Sequence, residues 1–338
     1  MVTSPIFFER NRVGRVYRGG KLFNGFFGDA PVDGFTPEEW IASIVNAMNR
    51  ESLHEKEGVS KIRDSALYFD ELLMQQPQDM LGSSGKMRIL VKILDSAVRL
   101  PAQAHPDKMF SKKHFNSEYG KTESWIILDT RPDAKIYFGF KDGVDRETFM
   151  AAVEESKQDK NSVERLLEYF EPKVGDVFLV PAKTAHAIGA GCMILEVQEP
   201  TDFTIQPEYW CDDYALNEQE MYLGLTKEQA VDCFEFCQAP DAKVTPETVK
   251  NSDGIKVERL IKPSNTDCFV INRITVDNAV YTIDVYDSYG VYIVTKGCGE
   301  LTGADYAYRI KKGDYFFMPA CLMGKFSVSG SLELVECF

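Results

Sequence analysis

One stretch of this chain is written twice. Lys173-Val-Gly-Asp-Val-Phe-Leu-Val-Pro-Ala182 and Lys311-Lys-Gly-Asp-Tyr-Phe-Phe-Met-Pro-Ala320 agree at six of ten positions, 138 residues apart. A turn glycine and aspartate leading into an apolar strand that ends in proline is a unit that jelly-roll barrels repeat. The echo therefore predicts a duplicated β-barrel. The copies differ in one informative place. Five residues beyond the proline the first has His186 and the second has Gly324, so only the first keeps a metal-capable side chain there.

The rest of the chain agrees with that frame. From Met87 onward, short β-branched and aromatic runs (ILVKIL, SWIIL, KIYFGF, DVFLVPA, CMILEVQ, CFVINRITV, VYTIDVY, VYIVTK, YFFMPA, FSVSG) alternate with turn residues. That rhythm belongs to sandwiches and barrels. Helix signals gather earlier. Thr36-Pro37-Glu38-Glu39 offers an N-cap, a proline at the first helical position and a glutamate at the third, ahead of WIASIVNAM. A second helical run is expected over 65–75, with 77–85 as a loop. Further helices are expected over 146–155, over 162–169 and from Thr226. The fold class is mainly β: double jelly-roll (cupin) barrels with a helical insertion at about 36–83. The expected division is a metal-binding catalytic part, 1–235, and a C-terminal barrel without metal ligands, 240–338.

At 338 residues the chain has room for two such units. Its 38 basic and 52 acidic residues leave a formal charge of −14. Such a field repels phosphate backbones and anionic lipid, so no nucleic-acid or membrane partner is expected. The N-terminus does not read as a signal peptide, and no run approaches the ~18 apolar residues that would span a bilayer. Eight cysteines without a C-x-x-C pair read as reduced thiols of a cytoplasmic protein. Cys233 and Cys237 are expected on one helix as small core residues. Gly297-Cys-Gly299 reads as a tight turn of the second barrel, and Lys112-Lys113 and Lys311-Lys312 as solvated pairs.

Chemistry concentrates around two of the four histidines. Gln103 and His105 lie two apart at a strand end, where alternate residues share a face. Glu123 heads the strand word SWIIL, and His186 follows Val180-Pro181. Two imidazoles, a carboxylate and an amide oxygen suit Zn²⁺ or a similar divalent ion with a position left open. The spacing alone is also compatible with hydrogen-bonded histidines at strand ends, which is how His54 and His114 read.

The blocks around Lys92, Gln103-Ala-His105-Pro-Asp-Lys108, Gly120-Lys121-Thr-Glu123-Ser-Trp125 and Val180-Pro-Ala-Lys-Thr-Ala-His186-Ala-Ile-Gly189 together resemble type I mannose-6-phosphate isomerases. The likeness is strongest over 90–202. It implies the cupin fold, one divalent metal of the zinc class, and aldose–ketose isomerisation. By that resemblance Gln103, His105, Glu123 and His186 are the metal ligands. Lys121 and Lys92 match active-site lysines, Lys121 expected as catalytic and Lys92, with Gln206, as substrate-binding, and Glu196 falls where the family has an acid assigned to proton transfer. The implied partner is a small sugar or sugar phosphate.

Departures from the family pattern cluster in one neighbourhood. Gln206 stands where the family has an arginine, and an amide supplies neither a fixed charge nor a bidentate fork. Pro101 stands where a phosphate-binding serine is usual, and the basic residue expected after the arginine gives way to Tyr209-Trp-Cys-Asp-Asp213. Three functions follow: the family's isomerisation of mannose 6-phosphate and fructose 6-phosphate, isomerisation of a different sugar, with or without a phosphate, or a metal-holding cupin that binds sugar without turnover. Retention of Lys92, Lys121 and Glu196 favours an enzyme, because a pure binder needs no base.

Overall fold

Strand parity explains how this sequence folds. The computed structural model describes residues 2–236 and 241–338. In the strand Cys192–Gln198 every side chain is buried. Met193, Leu195 and Val197 enter one apolar core, while Cys192 and Ile194 enter another. A strand covered on both faces reads as a continuous apolar run, as CMILEVQ does up to its glutamate. Its neighbours obey the same parity. Val91 and Ile93 of Leu90–Ser96 share the first core and Leu94 the second; Ile126 of Glu123–Thr130 joins the first, Trp125 and Ile127 the second.

These strands form the centre of a six-stranded antiparallel sheet, ordered Arg12–Val13, Glu38–Ile41, Leu90–Ser96, Cys192–Gln198, Glu123–Thr130, Val177–Val180. One face shares a core with a three-stranded sheet of Leu167–Phe170, Ile136–Phe140 and His186–Ile188 through Ile136, Phe138 and Ile188. The other face packs against an eight-stranded antiparallel sheet built mostly from residues beyond 246, through Ile271, Val291, Ile293, Phe317 and Val335. The N-terminal strand Ile6–Phe7 pairs with Tyr315–Met318 at the edge of that sheet, so the chain's first residues lie on its last sheet.

The echo is structural as well as textual. Asp176 and Asp314 each accept from the backbone N–H three residues earlier, Lys173 at 3.0 Å and Lys311 at 2.9 Å. Gly175 and Gly313 take the same left-handed conformation, φ 92° and 89°. Val177–Val180 and Tyr315–Met318 follow as the equivalent strands.

Several local expectations are corrected. The capping signal at Thr36-Pro37 starts no helix; Glu38–Ile41 is a strand, every residue buried, paired with Leu90–Ser96. Pairing to a central strand outweighs a local cap. Helix within 36–83 is confined to Phe69–Gln75 and Pro77–Leu81, the latter in the stretch expected as a loop. The segment 162–169 is a single 3-10 turn, Glu164–Leu166, leading into the strand Leu167–Phe170. Gly297 and Gly299 lie inside the long strand Gly290–Thr302 rather than in a turn. A Cβ on Gly299 would stand 2.0 Å from the Ser329 carbonyl oxygen, so close approach of the next strand is what needs glycine. Helices Arg146–Glu155 and Lys227–Val231 form as expected, the second with its Thr226 capping box. Lys108–Phe115, capped by Asp107, is a helix not anticipated. Cys233 is buried just past the end of its helix, and Cys237 lies outside the described residues. No helix among the described residues is long and apolar enough to cross a membrane.

Candidate metal centre

Parity also builds the site. Glu123 shares the inner face with Trp125, Glu196 with Ile194, and Lys92 with Leu94; Glu196 and Lys92 are directly opposite in register. Four charged side chains, counting Glu38 opposite Leu94, thus point the same way from adjacent strands. The histidines come from the facing side. Gln103 and His186 exchange both backbone hydrogen bonds at 2.9 Å, which sets His186 beside the Gln103–His105 segment.

His105, Glu123 and His186 are all buried, and their ligand atoms lie within 4.8 Å of one another. The His105 and His186 Nε2 atoms are 3.2 Å apart, 3.1 Å and 3.4 Å from the two Glu123 oxygens. His105 Nδ1 donates to the Phe203 carbonyl at 2.9 Å, and His186 Nδ1 to the Thr184 carbonyl at 2.8 Å. A carbonyl only accepts, so each Nδ1 carries the proton and each Nε2 turns a lone pair inward. Burial keeps both rings neutral: it pushes the His186 pKa down to about 3, helped by His105, and lowers His105 with help from Lys121. Two lone pairs and a carboxylate aimed at one point are a donor set that fits a divalent cation. Lys121 Nζ donates into the same cluster, 2.6 Å from Glu123 Oε2 and 2.7 Å from His105 Nε2. Although burial opposes it, the Lys121 charge holds the Glu123 carboxyl well below the usual range.

Beside this cluster lies a second, also buried. Lys92 Nζ is 3.5 Å from Glu196, 3.6 Å from Asp202 and 4.0 Å from Glu38, with its ammonium 4.6 Å from the centre of the Trp40 ring. Arg15 bridges Glu38 at 2.8 Å and Asp202 at 3.0 Å. Glu38 also accepts from Tyr17 Oη and Trp40 Nε1, both at 2.7 Å. Burial would push Glu38 and Asp202 up, but Arg15 and Lys92 hold both below their ordinary values. Glu196 is the exception. Burial, reinforced by the Glu123 charge, pushes it up to about 7, and its Oε1 has no hydrogen-bond partner. Its environment separates it from Glu38 and Asp202, as an acid–base group requires.

Both clusters border a cavity of about 770 Å³. Lys92, Gln103, Lys121, Glu196, Gln206 and Pro101 line it. Gln206 gives its amide to the Glu220 carbonyl at 3.2 Å. His54 is exposed and His114 packs on Phe110, both apart from the centre. Sequence reading missed Arg15, Tyr17, Glu38 and Asp202. Glu38 sits inside the Thr36-Pro37 capping signal, and Arg15 meets Asp202 across 187 residues, a separation with no local signature.

Fold and centre together define an antiparallel β protein whose interior carries a donor set able to hold a divalent metal. No family model matches the chain. The mannose-6-phosphate isomerase ManA of Bacillus subtilis (strain 168) is 30% identical over 250 residues, 73% of each chain. The probable mannose-6-phosphate isomerase GmuF of the same strain is 28% identical over 339 residues, 99% of each chain. The fold matches the crystal structure of the mannose 6-phosphate isomerase from Bacillus subtilis with a TM-score of 0.80 at 24% identity, covering 99% of this chain and 100% of that one. The chain belongs to the mannose-6-phosphate isomerase family.

Proposed function

We propose that this protein interconverts mannose 6-phosphate and fructose 6-phosphate by proton transfer through an enediol. The observation that carries the reading is one cavity lined by Glu196, whose Oε1 accepts no hydrogen bond, and by Lys121, which itself touches the buried His105 and Glu123 of the donor set. In this reading the fold is a double jelly-roll, with 1–235 catalytic and 240–338 a barrel that packs against it. Gln103, His105, Glu123 and His186 hold one divalent metal, for which we take zinc. When bound, that ion supplies a Lewis acid that polarises the sugar's carbonyl and hydroxyl oxygens.

The chain's own groups do the rest. Glu196 Oε1, which accepts no hydrogen bond and has only the Lys92 ammonium 3.5 Å away, takes the proton from the carbon next to the carbonyl and returns it to the neighbouring carbon. A carboxyl raised towards neutrality suits both halves of that exchange. Lys121 places a positive charge where negative charge develops on the sugar oxygens. Lys92, held by three carboxylates, keeps Glu196 oriented and lends it a nearby charge; Gln206, whose amide nitrogen is given to Glu220, contacts substrate through its amide oxygen.

The test is turnover. Wild type converts mannose 6-phosphate into fructose 6-phosphate, and Lys121→Met retains metal but loses at least ~10²-fold in kcat. A metal-replete wild type that gives no fructose 6-phosphate would refute the function, and full kcat in Lys121→Met would remove that lysine from it.

A further inference from the structure

Four cationic side chains line the cavity: Arg15, Arg50, Lys92 and Lys121. Three are already matched. Arg15 bridges Glu38 and Asp202, Lys92 lies among Glu38, Glu196 and Asp202, and Lys121 donates to Glu123. Among the described residues Arg50 alone of the four has no carboxylate in salt-bridge range. It is also the exposed one, whereas the metal-capable donors are buried. The cavity therefore runs from a buried reactive floor to a mouth where the Arg50 guanidinium lies beside the Tyr214 hydroxyl, itself bound to Glu220, with no carboxylate in salt-bridge range of its own.

That guanidinium is delivered by a pinned loop. Met48 N–H donates to Asp202 Oδ2 at 2.8 Å. Asn49 Oδ1 accepts from Arg15 at 2.9 Å, and Asn49 Nδ2 donates to the Gly14 carbonyl at 2.9 Å. The two residues before Arg50 are thus tied to the same buried cluster that orients Glu196. Elsewhere on the wall Pro101 and Gln206 are neutral, and the Gln206 amide is already given to a carbonyl.

We propose that Arg50 binds the phosphate of the substrate at the cavity mouth and so sets the preference for phosphorylated sugars. The inference rests on the isomerase reading above. A sugar whose reacting carbons reach the floor turns its far end towards the mouth, and an arginine fork matches a phosphate's oxygens with two parallel, charge-assisted hydrogen bonds. Because Arg50 touches only the non-reacting end, its contribution falls on binding.

Arg50→Ala is expected to raise KM for mannose 6-phosphate by about 10- to 100-fold with kcat changed by no more than about threefold. The inhibition constant of inorganic phosphate rises by the same factor, and Arg50→Lys recovers part of both. An unchanged KM and phosphate inhibition constant in a folded Arg50→Ala would overturn the proposal. Calorimetry with inorganic phosphate separates the two readings. If wild type shows no turnover, the isomerase reading fails; phosphate binding by wild type that is lost in Arg50→Ala still supports the arginine's role, and binding equal in both, or absent from both, overturns it.

Discussion

In the proposed isomerisation Glu196 concentrates the chemistry of the site in one side chain. Its carboxyl is buried, faces Lys92 across the sheet at 3.5 Å, and is pushed up to about 7 by burial and the Glu123 charge. Glu196→Gln keeps the shape and removes the proton acceptor, so kcat should fall by ~10²–10⁴ while metal content is unchanged. A folded variant with full kcat would exclude the role. The stability sign runs the other way. A carboxyl raised from an ordinary value near ~4.3 opposes folding progressively as pH rises from there to about 7. Above pH 7 the variant should therefore be no less stable than wild type, the gap narrowing as the medium is acidified; denaturant melts at several pH values read this directly. In turnover, kcat/KM should rise with pH through an apparent pKa at or below about 7, because a divalent cation at Glu123 draws the Glu196 value down.

The strand Glu38–Ile41 shows how an element can serve the core and the site together. Ile41 enters the core between the large sheets, while Glu38 turns to Arg15, Tyr17, Trp40 and Lys92. Glu38→Ala leaves two buried cations short of a partner and should cost about 3–5 kcal/mol at neutral pH. Despite its burial, Arg15 and Lys92 hold this carboxyl well below its usual range, so its contribution is present above ~4.3 and lost only as pH falls further. The wild-type advantage should shrink with acidification, and a neutral-pH difference under ~1 kcal/mol would contradict the assignment.

This strand also marks the limit of what the sequence discloses. The central strands were legible because parity writes itself into runs such as ILVKIL and CMILEVQ, and the Lys173 and Lys311 turns were legible because each repeats one hydrogen-bonded geometry. His105, Glu123 and His186 stood out as scarce residue types at strand ends. Thr36-Pro37-Glu38-Glu39 misled because a local cap competes poorly with pairing to Leu90–Ser96. Asp202 and Arg15 carried no signal, since what unites them is tertiary proximity alone.

The two halves of the molecule share one apolar core, and several contacts stitch them further. Ile6–Phe7 adds to the C-terminal sheet, and Tyr315 Oη donates to Glu39, which also binds Arg12 at 2.5 Å. Phe317 lies in that shared core, fully buried, stacked on Tyr289 and edge-on to Phe69. Phe317→Ala should cost about 3–5 kcal/mol and lower a single transition in which structure and bound metal are lost together. Two separate transitions would mean that the halves unfold independently.

In the proposed function His105, Glu123 and His186 form the metal centre of a mannose 6-phosphate isomerase. The most direct measurement follows metal content and mannose 6-phosphate turnover together, through chelation, zinc restoration and His186→Ala. One tightly held ion per chain is expected, with turnover that disappears and returns with it, and loss of both in the variant. Turnover that survives complete removal of the metal, or a fully loaded wild type that leaves mannose 6-phosphate unchanged, would contradict it.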